Sequence, residues 1–156
     1  MIKDSGERRE FATGALRDIQ EGKGRCDLLP LDILIDYFKP AQKTLISISE
    51  YKKTGEILFL YLALDDFCSL CKWHYTTMLL EVSKHFEEGA KKYGEYNWQK
   101  GINTHSYIDS GLRHLLKWLR GDNDEPHDRA FVWNLLCCIW TCVNKPELND
   151  YQRRKE

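Results

Sequence analysis

Apolar residues recur at spacings of three and four along most of the chain, and each such run predicts a helix. Leu31, Leu34, Ile35 and Phe38 predict one over Leu31–Phe38, stopped by Pro40. A second starts near Gly55 and carries Ile57, Leu58, Phe59, Leu62 and Phe67. The stretch from Asp65 to Tyr93 either continues it or forms a separate helix with a break near Lys72, because about forty uninterrupted residues exceed the usual globular length. Its second half places Leu79, Val82, Phe86, Ala90 and Tyr93 on one face. Gly94 suits a left-handed terminator there, with Lys91 and Lys92 in the last turn, where the helix dipole favours cations. A further helix runs from about Tyr107 to Leu119, with Ile108, Leu112, Leu115, Leu116 and Leu119 inward. The last opens with Pro126 at its first position, carries Ala130, Phe131, Leu135, Cys138 and Cys142 as its apolar stripe, and closes at Lys145 and Pro146. Residues 1–30 form a polar, turn-rich arm able to lie across a surface, and "LNDYQRRKE" reads as a frayed tail. Only Thr44–Ile48, "TLISI", suggests a short extended piece, so the fold class is all-α.

Composition narrows the function classes. At 156 residues the chain forms a single domain over 1–156, and 42% hydrophobic against 30% charged residues argues against disorder outside the ends. Lys and Arg number 23 and Asp and Glu 24, a net charge of -1, so there is no global attraction to duplex nucleic acid or an anionic membrane, although a local basic patch is allowed. The six cysteines lack the density of a secreted disulfide framework. Cys68 and Cys71 form a C-x-x-C inside an apolar helical run, where small core residues are the expected reading over redox or zinc chemistry. The longest apolar run, Ile57–Leu64, is too short to span a bilayer, and no charged leader opens the chain. A cytoplasmic location, in a bacterium or a phage-infected host cell, is expected.

Three polar clusters interrupt the apolar helices. Glu87 and Glu88 stand beside the line Glu81, His85, Glu88, Lys92, which on its own reads equally as a solvated face with Glu88 paired to Lys92. "YIDSGLRHLLKWL" sets Arg113 and His114 among leucines, a costly place unless something anionic or acidic meets them. "GDNDEPHDR" crowds Asp122, Asp124, Glu125 and Asp128 at a helix beginning, more carboxylates than capping explains. Glu125 and Asp128, three apart, offer two hard oxygen ligands on one flank. If that flank faces Glu87, three carboxylates converge on a magnesium site.

The blocks "GAKKYGEYNWQKG", "YIDSGLRHLLKWLRGD" and "DEPHDRAFVWN", preceded by "ATGALRDIQEGKGRCDLLP" over Ala12–Pro30, resemble the signature blocks of the dATP/dGTP pyrophosphohydrolase family related to phage MazZ, within the all-helical MazG-type superfamily. The resemblance implies a MazG-like helical bundle completed by oligomerisation, a homodimer or homotetramer. It further implies Mg2+-dependent, or Mn2+-dependent, hydrolysis of a purine deoxynucleoside triphosphate (dATP/dGTP) to monophosphate and pyrophosphate by metal-activated water. It places the metal and catalytic ligands at Glu87, Glu88, Glu125 and Asp128, with Glu81 as the alternative to Glu88. Glu125–Asp128 matches the family's E-x-x-D element, whereas Lys84 and His85 stand where the first element would carry a glutamate. Residues 31–84 contain an insertion atypical of that pattern.

Within this frame Lys91, Lys92, Lys100 and Arg113 are candidate phosphate contacts. Tyr93 and Trp98 would stack on a purine or simply pack, and Asn97 would bond a base edge or hold its own turn. His114 would orient a carboxylate or phosphate, or make a core hydrogen bond, and His127 is a weaker candidate. The degraded first glutamate element and the insertion sustain an alternative, a catalytically weak nucleotide-binding or host-interacting regulatory protein of a phage or mobile element.

Overall fold

The computed structural model describes residues 3–153, and residues 154–156 of the expected frayed tail lie outside that range. Two three-residue strands, β1 (Arg8–Glu10) and β2 (Leu16–Asp18), pair antiparallel in the arm with Arg8 opposite Asp18. They are too short to show alternation in sequence. Seven α-helices follow among the described residues: α1 (Leu31–Tyr37), α2 (Gln42–Thr54), α3 (Leu58–Leu70), α4 (Tyr75–Tyr93), α5 (Thr104–Arg120), α6 (His127–Asn144) and α7 (Asp150–Arg153). The class is all-α.

Five expectations need correction, the first at Gly94, which ends α4 at φ 95 and ψ 152, a positive φ outside the left-handed helical region. Thr44–Ile48 lies in α2 rather than in an extended piece, because Thr44, Leu45, Ile48 and Tyr51 are buried at helical spacing. Gly55, at φ 71, closes that helix by donating its N–H to the Tyr51 carbonyl at 2.7 Å. Leu79 is 56% exposed, and the buried stripe of α4 is Met78, Val82 and His85, rotated by about one residue, roughly 100°. Pro126 sits just outside α6 as its capping residue. The C-terminal segment is docked: Tyr151 is buried edge-on to Tyr51 with ring centroids 5.3 Å apart, and Asn149 accepts from the Tyr51 hydroxyl at 3.0 Å while donating to the Gly55 carbonyl at 2.8 Å.

The separation of α3 from α4 falls at Lys72, whose φ of 55 is left-handed, and the His74 ring caps α4 by accepting from the Thr76 N–H. Cys68 is buried and donates its thiol to the Trp73 carbonyl, while burial pushes the Cys71 thiol up to about 12. Both therefore behave as packed thiols rather than reactive ones. The core centres on Phe67, whose ring meets Phe131 at 4.6 Å and Trp118 at 5.1 Å. Helices α5 and α6 form the main packed pair, with Gly111 of α5 against the Asn134 side chain of α6. Together with α4 and the arm they enclose a cavity.

Candidate functional site

The arm is fastened to the bundle by side chains that the sequence offered as substrate contacts. Asn97, 6% exposed, accepts from the Leu16 N–H and donates to the Leu16 carbonyl, both at 2.8 Å, so its amide takes the place of a neighbouring strand residue beside β2. Lys92 pairs with Asp18 at 3.2 Å and Asp4 at 3.7 Å, and the Tyr93 hydroxyl donates to Asp18 at 3.2 Å. Arg113 donates to Asp109 at 2.7 Å and to the carbonyls of Lys23 and Gly24. Asp109 in turn accepts from the Cys26 N–H at 2.7 Å. The expensive guanidinium among leucines is thus met by an acid on its own helix and by the backbone of the arm.

Beneath the arm lies a cavity of about 590 Å³. Eight basic side chains line it (Lys3, Arg9, Arg17, Lys23, Lys92, Arg113, Lys117, Arg120) against three acidic ones, Asp18, Asp109 and Glu125. Phe86, Tyr93, Tyr96, Trp98 and Trp133 supply apolar faces. Trp98 stands edge-on to Phe86 and Trp140 at 5.5 and 5.1 Å, which fixes its ring. Arg17 crosses the rings of Tyr107 and Trp133 and donates to Asn134 at 3.1 Å. Arg9 stacks on Phe11, and its Nε has no hydrogen-bond partner. Burial, followed by the charges of Arg17 and Arg113, lowers Arg9 to about 10. Among the described residues neither Arg9 nor Arg17 forms an ion pair with a carboxylate. A cluster of guanidiniums in this condition repels itself and attracts an anion.

The candidate metal ligands separate. Glu87 is exposed and pairs with Lys91 at 3.7 Å, and Glu88 pairs with Arg129 of α6 at 2.5 Å. Asp128 accepts from the Arg129 N–H in the first turn of its own helix. Of these four carboxylates only Glu125 lines the cavity. Lys91 and Lys100 are exposed and outside the lining, whereas Lys92, Tyr93, Asn97, Trp98, Arg113 and His114 are within it. Metal-capable side chains instead gather at His114, Glu125 and His127, and at Asp122, Asp124 and His127, each group with ligand atoms within 4.8 Å. Burial, then the neighbouring His127, pushes His114 well below the ordinary histidine range. Arg9, Arg17, Lys23, His85, Asp109 and Trp133 were not singled out as ligand-facing. The basic residues of "GALRDIQEGKGR" were the available signal.

A family model described as "dATP/dGTP diphosphohydrolase, N-terminal" matches residues 68–151, more than half of the chain. The chain belongs to this family. The diphosphohydrolase match covers α4, α5 and α6, which form the cavity's walls, and begins inside the 31–84 segment, while the arm with Arg9, Arg17 and Lys23 precedes it. No curated protein and no solved structure matches the chain significantly.

Proposed function

We propose that the protein hydrolyses a purine deoxynucleoside triphosphate, dATP or dGTP, to its monophosphate and pyrophosphate. The observation that carries this reading is the pair Arg9 and Arg17, without carboxylate partners, in an aromatic-walled cavity beneath the arm. A triphosphate supplies the missing negative charge, and guanidiniums recognise its oxygens by forked hydrogen bonds. The cavity's 590 Å³ falls within the roughly 300–1,000 Å³ of small-molecule sites. Trp98 and Tyr93 offer faces for a purine, and membership of the diphosphohydrolase family supports the chemistry.

Water is the proposed nucleophile. The one cysteine of the lining, Cys26, has its thiol pushed up by burial, which leaves little thiolate for attack. A divalent requirement, magnesium or manganese, is part of the proposal. Glu87, Glu88, Glu125 and Asp128 do not fit a single ion in this arrangement, however, because three of them face elsewhere. That separation favours a second reading, a nucleotide-binding regulatory relative with weak turnover. One assay separates the two. Each deoxynucleoside triphosphate is incubated with magnesium or manganese in oxygen-18 water. Pyrophosphate release with label in the monophosphate is the expected result. Release of single phosphates would refute the reaction, and binding without turnover would leave the regulatory reading.

A further inference from the structure

We infer that His114, Glu125 and His127 form a site for one borderline transition-metal ion, of the zinc or cobalt class, with its open side toward the cavity. The inference deepens the reading above, because that open side faces the space assigned to the triphosphate. His114 projects from α5, while Glu125 and His127 flank Pro126 at the opening of α6, where the His127 N–H donates to the Glu125 carbonyl at 2.9 Å. This tight turn puts two donors from one segment beside a third from the facing helix.

The ring orientations point to a ligand set. His127 is buried, and its Nε2 lies 2.7 Å from Asp124, itself held by Lys3 at 2.7 Å. A carboxylate on Nε2 selects the tautomer whose Nδ1 carries the lone pair, the outer-shell arrangement that orients metal-binding histidines. That Nδ1 lies 2.9 Å from the Nδ1 of His114. Two nitrogens on one tetrahedral ion, each at about 2.0–2.1 Å, stand about 3.3 Å apart, so the nitrogens have to part by about 0.4 Å and the rings turn until both lone pairs point at the ion. Glu125 adds the anionic oxygen. One of its oxygens takes the Lys3 N–H at 2.7 Å, which leaves the other for an ion. The neighbouring group around Asp122 is a poorer candidate, because the Arg120 guanidinium already holds both Asp122 oxygens and Asp124 is spent on His127 and Lys3.

Chemistry selects the class of ion. Two imidazoles and one carboxylate suit zinc and cobalt, whereas magnesium prefers all-oxygen shells and retains its waters. Three protein ligands with a position left open is the pattern of catalytic rather than structural zinc sites.

The test is a titration of metal-free protein with Co2+, read by visible absorption, with Zn2+ and Mg2+ as competitors. One Co2+ per chain is expected, displaced by Zn2+ and left in place by millimolar Mg2+. His114→Gln, Glu125→Gln and Asp124→Asn should each weaken binding by at least about tenfold, the last because the outer shell is lost. Glu125 lies outside the core, and circular dichroism of Glu125→Gln checks that the fold persists. Absence of Co2+ binding, or binding unchanged in all three variants, would mean that the two rings share a proton instead, and overturns the site. Nucleotide turnover is measured in parallel. Turnover by a chain that binds no Co2+ removes the metal site alone, whereas Co2+ binding without turnover supports the site and removes the hydrolase reading.

Discussion

Replacing Arg9 by methionine removes a half-buried guanidinium that faces Arg17 and Arg113 and forms no ion pair among the described residues, Asp109 offsetting only part of the repulsion. Relief of that repulsion, discounted for solvent screening, is about 1 kcal/mol, which raises Tm by about 2–4 °C. The same change weakens nucleotide binding, with KM up by about tenfold as one charge-assisted contact is lost. Calorimetry and steady-state kinetics on Arg9→Met check the two opposite signs. His85 behaves differently. Burial, then Arg129, holds its folded value near 4, below the ordinary 6.5. The unfolded chain takes up this proton first, so stability is lost as pH falls from about 6.5 to about 4, by up to about 3 kcal/mol. Denaturant titrations should show that slope in the wild type and a flatter one in His85→Phe. Neither residue's environment follows from its neighbours in sequence, since Arg9 meets Arg113 and His85 meets Arg129 only after the chain has folded back.

The elements whose apolar stripe repeats over four turns or more, α4, α5 and α6, were legible from periodicity, while the break at Lys72 was one of two readings that periodicity left open. The arm was not, because β1 and β2 are held by Asn97 and by Asp18's partners rather than by any pattern of their own. Asn97→Ala should therefore loosen the arm at a cost of about 1–3 kcal/mol, since two backbone groups of Leu16 lose their partner. Hydrogen exchange concentrated in residues 8–18 is the expected signature. The C-terminal segment escaped a periodicity argument for a similar reason: it is anchored by single side chains. At Gly55, φ 71 combines with a Cβ that would come 2.6 Å from the Gln152 backbone. Gly55→Ala should destabilise by about 2 kcal/mol or more, through backbone strain and displacement of that segment. A thermal melt measures it.

At the scale of the whole molecule, α3 and α4 leave Leu58, Tyr61, Leu62, Leu79 and Leu80 exposed. We propose that a second copy of the chain covers part of this surface, as the family resemblance implies. Light scattering should give a dimer or tetramer, and Leu80→Glu should shift it toward monomer, because a carboxylate does not enter an apolar interface without a partner. Fold class and the walls of the site could be read before the coordinates, because helical stripes and polar interruptions are local. The ligand set could not. Whether Glu87 or its neighbour Phe86 faces the cavity depends on a rotation of one residue about the α4 axis, and a period of three or four does not resolve it.

Of the five indoles in the chain, Trp98 and Trp133 stand at the cavity wall. Their emission gives the molecule an optical reporter of its own. A purine laid against Trp98 should quench it, whereas an inorganic triphosphate drawing on Arg17 should perturb only Trp133, whose ring that guanidinium crosses, so a Trp133→Phe background reads the base alone. Base recognition and charge recognition thus become separable by a lamp and a cuvette, with no label attached.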